Sequence, residues 1–166
     1  VMMCEPLVKA IEERSQQRTF DESIFLTPDG ENFTQRTDNS LSLKQNLLLI
    51  CGHYKGIDER VRQHLVTREI SIGDYVLSGG ELPAAILVDA IGRLLPGVLN
   101  DETSALTDSF QDDLLAPPVY TRPVDFRGWK VPDILMSSDH KKIEEWRHEQ
   151  SVLRTKERRP GLLGEE

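Results

Sequence analysis

Apolar and polar positions alternate along this chain in short blocks, and each block predicts one element. Pro6 opens a stretch in which Leu7 and Ile11 share one helical face among polar residues, a helix ending near Arg18. Ser23 to Thr27 reads as a short strand, and Pro28-Asp29-Gly30 has the chemistry of a turn. Residues 34–46 are polar and predict a loop followed by a short helix. Leu47 to Cys51 is an apolar run too short for a helix, which predicts a buried strand. Gly52 to Gly56 breaks that run. Ile57 to Val66 returns to helical spacing, with Asp58 and Glu59 at the end where the helix dipole favours them. Glu69 to Ile72 predicts another strand, and Gly73 to Gly80 is marked by glycine. Pro83 to Leu95 predicts a helix stopped by Pro96-Gly97. It is apolar on nearly every side, which predicts burial on several sides, within the domain or against a second subunit.

Strands alternating with helices indicate an α/β domain with a largely parallel sheet over residues 1–97. Residues 98–137 carry Pro117, Pro118, Pro123 and Pro132 and little periodicity, so they read as a linker with one short helix at Ser109–Leu115. Ser138 or Asp139 is placed to cap a final helix through about Lys156, with Ile143, Trp146, Gln150 and Leu153 along one side. The chain opens Val1-Met2-Met3 inside an apolar segment and ends without a natural stop, which predicts elements missing on either side.

Composition narrows the function classes. Of the 166 residues 38% are hydrophobic, enough for a real core and too many for wholesale disorder. No apolar run is long enough to cross a bilayer. With two Cys and no His/Cys cluster, neither a disulfide framework nor a zinc site is indicated, and Cys51 reads as a buried, inert thiol. A reducing cytoplasm fits, since no charged-then-apolar leader opens the chain. The net charge of −8 argues against a sequence-blind nucleic-acid binder, which needs a basic surface. The charge is uneven, however. Residues 141–160 hold seven basic against four acidic side chains, a net of +3, while the 140 residues before them carry −9. Such a tail suits an anion, and equally a solvated helix face of mixed charge.

Five of the eleven glycines fall between positions 52 and 80, in loops after two strands, where α/β sheets bind ligands. Neither G-x-G-x-x-G nor a P-loop is present, so tight turns and ligand contact both remain open for them. Asp89 and Arg93 stand four apart on the apolar helix, as a local ion pair or as an arginine held to meet an anion. Asp108 by itself reads as a helix N-cap. His64, His140 and His148 read as solvated surface, and His53, in the glycine loop, is placed to touch a ligand.

The runs LICGHYKGIDERV (49–61) and SIGDYVLSGGELP (71–83) carry a resemblance. Together with PGVL (96–99), TDSF (107–110), YTRP (120–123) and RTKERRP (154–160), in that order, they resemble the bacterial tRNA (guanine-N1-)-methyltransferase family, TrmD, of the SPOUT class. The resemblance covers essentially the whole chain. It implies a parallel sheet with a deep trefoil knot, an exception to ordinary topology rules, and a homodimer in which the linker completes the partner's site. It implies S-adenosylmethionine as methyl donor, held by loops containing Thr27, Pro28, Gly52, Tyr54, Gly56, Ile72, Gly73, Tyr75, Leu77, Gly79, Gly80 and Pro83. It implies Asp108 as general base and Arg93 as catalytic arginine, N1 of the guanine 3′ of a tRNA anticodon as acceptor, and a Mg²⁺ requirement for which no acidic cluster identifies a site. It implies that residues 138–166 begin a helical tRNA-binding domain. Three positions depart from the commonest family form: His53 and Lys55 stand where it has Arg and Glu, and Phe25 stands where it has Tyr. A non-catalytic RNA-binding dimer of the same fold, or a SPOUT enzyme acting on another RNA site, are the competing readings.

Overall fold

The computed structural model describes residues 1–53, 55–98 and 108–164. The chain divides into two compact units, residues 1–102 and residues 103–166.

The first unit is a three-stranded parallel sheet with helices on both faces. Its central strand is β1 (Glu22–Asn32), flanked by β2 (Leu47–Cys51) and β3 (Arg68–Ser71), both parallel to it. Side chains alternate across a strand, and β1 uses that alternation to feed two cores. Phe25 points to one face and joins Ile11, Ile50, Ile57 and Val61, under α1 (Cys4–Gln17) and α3 (Glu59–Leu65). Ile24 and Leu26 point to the other and join Leu41, Ile70 and Leu87, under α2 (Gln35–Ser42) and α4 (Glu81–Arg93).

Local chemistry sets the element ends. Pro6 sits in the first turn of α1, where a missing N–H breaks no intrahelical bond. The Thr34 hydroxyl caps α2 by accepting from the Thr37 N–H, so the helix precedes the loop, the reverse of the order expected from sequence. Asp21 accepts from the N–H groups of Gln45 and Asn46 and anchors the chain as it enters β2.

Strand β1 runs well past its predicted end. The Thr27–Gly30 segment is an excursion within the strand: Leu26 and Glu31 both pair with Ile70. Turn chemistry was legible there, but a strand that resumes after its turn has no local signature. A Cβ on Gly30 would lie 2.6 Å from backbone atoms of Glu69 and Ile70, so only glycine lets the strand rejoin.

Helix α4, expected to be buried on several sides within the domain or against a second subunit, is only partly covered by its own domain. Leu87 is fully buried, but Leu82 and Val88 are 65% and 61% exposed, so within one chain the helix is covered on one side only.

In the second unit, residues 109–115 form turns rather than the expected helix. Phe110 and Asp113 have φ of 73° and 57°, which a right-handed helix excludes. Asp108 therefore caps no helix. A hairpin, β4 (Asp125–Phe126) and β5 (Trp129–Lys130), precedes α5 (His140–Arg158), which Asp139 caps through the Lys142 N–H. The buried face of α5 is Ile143, Ser151 and Thr155; Leu153, expected there, points to solvent. Polar Thr155 was unreadable as core because its hydroxyl is satisfied by the N–H of Leu115, forty residues away. Among the described residues no helix is long and apolar enough to cross a membrane.

Truncating Leu87 to Ala should cost about 2–5 kcal/mol of unfolding free energy, as for a filled core site losing its side chain. Leu43→Ala, at a position 85% exposed, should stay within about 0.5 kcal/mol of the parent. Chemical denaturation of both variants checks the pair.

Candidate functional site

A cleft of about 390 Å³ opens in the first unit at the carboxyl ends of β2 and β3 and beside the excursion in β1. That is within the size range of small-ligand sites, in the place where α/β sheets bind ligands. Three segments build it. Thr27 and Pro28 come from the excursion, Gly52 and Gly56 from the loop after β2, and Ile72, Gly73, Tyr75, Leu77, Gly79, Gly80 and Pro83 from the segment leading into α4. All eleven line this one cleft. Tyr54 lies outside the described residues.

The two loops are fastened backbone to backbone. The Gly80 N–H donates to the Gly52 carbonyl at 2.9 Å, and His53 pairs with Gly79 in an antiparallel bridge. A Cβ on Gly80 would lie 2.7 Å from Cys51 Cα, so the loops meet more closely than any side chain allows. A Cβ on Gly79 would meet only the ends of Glu81 and His53. Those two side chains pair with each other across the rim, imidazole Nε2 to carboxylate Oε1, and His53 holds the Glu81 carboxyl below its ordinary pKa. His53, expected as a ligand contact, lines the cleft and also ties α4 to the β2 loop.

The wall formed by the excursion is held by charge. Arg62 donates to Glu69 through Nε at 2.8 Å and Nη2 at 2.6 Å, reaches Asp29 at 2.7 Å, and lies 5.5 Å from the Phe25 ring centroid. Asp29 also accepts from the Thr27 hydroxyl; that bond first, then Arg62, holds its carboxyl below the usual range. Sequence reasoning missed Asp29 and Arg62 as lining residues, while Lys55, singled out as a departure from the family form, lines the cleft too. The signal available was Arg62 on a helix after a glycine loop, but its partners come from two other segments. Cys51, expected to be buried, is half-buried; that burial first, and the Glu81 charge second, push its thiol up.

Arg93 and Asp108 do not line this cleft. Arg93 is at the exposed end of α4. Its charge reaches Asp38, a 2% exposed carboxylate on α2 whose pKa is raised by burial, against the opposing pull of Gln35 and Arg93. Asp108 lines a wider groove within the second unit, bordered by Asp112, Tyr120, Arg122, Arg147 and Ser151. Buried Thr155 braces that region. Its hydroxyl accepts from the Leu115 N–H at 2.8 Å and donates to the Ser151 carbonyl at 2.6 Å, while Arg159 lies 5.7 Å from the Phe110 ring centroid. Among the described residues no three His, Cys, Asp or Glu side chains gather to hold a metal ion, so the implied Mg²⁺ finds no donor set.

A family model described as "tRNA (Guanine-1)-methyltransferase TrmD" matches residues 1–165. A protein of Christiangramia forsetii named tRNA (guanine-N(1)-)-methyltransferase is 61% identical over 166 residues, all of this chain and 74% of that protein. Proteins of the same name from Bacteroides thetaiotaomicron and Porphyromonas gingivalis are each 62% identical over 163 residues, 98% of this chain and 72% of theirs.

Two outcomes follow from this geometry. Gly80→Ala should abolish ligand binding in the cleft or weaken it at least about tenfold, whereas Gly79→Ala, which meets only movable side-chain ends, should cost less; isothermal titration with S-adenosylmethionine ranks the two. Asp29 has a depressed pKa, so its contribution to stability is present above about pH 4 and is lost as the pH falls through its folded-state value. The melting-temperature gap between parent and Asp29→Asn should therefore shrink as the pH is lowered from about 6 to about 3.

Proposed function

We propose, since the chain belongs to the TrmD family of tRNA (guanine-1)-methyltransferases and methylates guanine in tRNA, that its methyl donor is S-adenosylmethionine and its acceptor is N1 of the guanine 3′ of the anticodon. The observation that carries the donor assignment is the cleft itself. Five glycines, Gly52, Gly56, Gly73, Gly79 and Gly80, are among its lining residues, and the lack of side chains there lets a nucleoside and an amino-acid moiety come close to the backbone. The two loops that meet at Gly52 and Gly80 are read as the crossing of a trefoil knot. Residues 98–137 are read as a linker, and 138–166 as the start of the RNA-binding domain. The setting is the cytoplasm.

S-adenosylmethionine supplies an electrophilic methyl on a sulfonium, and the sulfur leaves as a neutral thioether. Neutral guanine N1 carries a proton, so a base must accept it as the new N–C bond forms. Asp108 takes that role. Negative charge growing on O6 needs a fixed cation, and Arg93 at the end of α4 supplies it. The acceptor is reached by turning the guanine out of its stack. The basic side chains of α5 meet tRNA phosphates.

Arg93 and Asp108 fall in different units, which suits a site shared between two copies. The uncovered side of α4, with Leu82, Ile86 and Val88 in water, supports a homodimer built on that face.

Asp108→Asn keeps the size of the side chain and removes the base. Single-turnover methyl transfer to tRNA should fall on the order of 10²–10⁴-fold, with S-adenosylmethionine affinity and melting temperature near the parent's. A variant that binds both ligands and transfers within a few-fold of the parent removes Asp108 from the base role. Sedimentation at micromolar concentration should show about twice the 18.9 kDa of one chain; a single-chain species would end the shared-site reading.

A further inference from the structure

The β4–β5 hairpin has no part in either cleft wall described above, yet it is the most conspicuous aromatic surface of the second unit. Every residue from Val119 to Lys130 is exposed. At the tip, Phe126 is 49% and Trp129 70% exposed, and the two pair across the strands with ring centroids 5.9 Å apart and planes tilted by 58°. The Arg127 guanidinium lies 5.1 Å from the Phe126 ring centroid. Rings left in water on a projecting hairpin are a costly arrangement unless something covers them.

The tip is also rigidly presented. Arg127 and Gly128 have φ of 56° and 84°, the pair of left-handed residues that makes a tight two-residue turn matched to strand twist. The Asp125 carboxylate accepts from the Gly128 N–H at 2.9 Å and locks it, and the Val131 N–H donates to the Val124 carbonyl to extend the ladder. The platform is formed before any partner arrives.

Its charge selects the partner. Residues 125–130 carry Arg127 and Lys130 against Asp125, a net of +1 in a chain of net −8. Two aromatic faces with cationic neighbours on an acidic protein match an unpaired base next to its phosphates, since bases splayed from single-stranded loops stack on aromatic and guanidinium planes. The central patch of a protein–protein interface is instead depleted in charge.

We propose that the Phe126–Trp129 hairpin is a base-stacking platform for an unpaired nucleotide of the RNA substrate, with Arg127 and Lys130 facing the adjoining phosphates; the proposal rests on tRNA being the substrate. Its contribution is sequence-tolerant, because every base has a π face.

The test uses the chain with Trp146→Phe, which leaves Trp129 as the only one of its two tryptophans. Titration with tRNA should quench Trp129 emission along the binding curve, and S-adenosylmethionine alone should not. Trp129→Ala should weaken tRNA binding roughly 5- to 150-fold, the worth of one base–aromatic stack of about 1–3 kcal/mol at 1.36 kcal/mol per tenfold. Trp129→Phe should recover most of that loss, and melting temperature and S-adenosylmethionine affinity should not move. If the parent binds tRNA while Trp129 stays unquenched and Trp129→Ala binds equally well, the hairpin is no platform. If Trp129→Ala instead splits an oligomer and leaves tRNA affinity unchanged at matched oligomeric state, the occupant is a second copy and the proposal falls. A parent that binds no tRNA at all overturns the tRNA reading and this proposal with it, a result distinct from any difference between parent and variant.

Discussion

The first unit hangs on one close approach. Gly80 donates its N–H to the Gly52 carbonyl at a separation that leaves no space for a Cβ on Gly80. On one side of that contact lies the end of β2; on the other, α4 begins with no capping side chain, because its N-cap position is Gly80 itself. The same residue thus ends a loop, starts a helix and closes the cleft. A β-carbon would have to push Cys51 backbone away, and with it the strand that packs Ile50 against Phe25. Few positions in the chain connect so much structure through so few atoms.

Around that contact, electrostatics do a different job from the one the charge arithmetic suggests. The acidic balance of the first 140 residues looks like a repulsive surface for RNA. Part of it is internal bracing. Glu69 and Asp29 are spent on Arg62, Glu81 on His53, and Asp58 on Arg60, whose guanidinium and N–H hold that carboxyl down to about pKa 2. At the rim, the His53–Glu81 pair gives a structural role to one of the positions that depart from the commonest family form, tying the loop after β2 to the start of α4.

How much was legible follows from how local each signal is. The parallel α/β unit was readable because the apolar run at 47–51, the alternation at 69–72 and the helical spacing between them are each local signals. The eleven cleft-lining positions came from family resemblance, and the residues alone left their glycines divided between turns and ligand contact. What was not readable depends on distant partners. The resumption of β1 after Gly30 needs the backbone of β3. Burial of Thr155 needs the Leu115 N–H. The turns at 109–115 need Phe110 and Asp113 to accept left-handed backbone, which their residue types do not announce. The apolar circumference of α4 was read correctly as a pattern, but its outer side faces water in one chain, because periodicity reports which side chains are apolar and not what covers them.

The excursion at Thr27–Gly30 has a thermodynamic consequence. Most binding clefts are walled by surface loops that can loosen while the core stays intact. Here one wall is cut from the central strand, between Leu26 in one hydrophobic core and a Gly30 pressed on the β3 backbone. Occupancy and global folding are therefore linked. A ligand that binds only the folded cleft raises unfolding free energy by about RT ln(1 + [L]/Kd), roughly 2.7 kcal/mol at a hundred times Kd. Because the wall belongs to the sheet, that increment should be felt in the slowest-exchanging amides of β1 as well as at the rim. Cellular donor concentration would then set how long this enzyme survives as well as how fast it turns over.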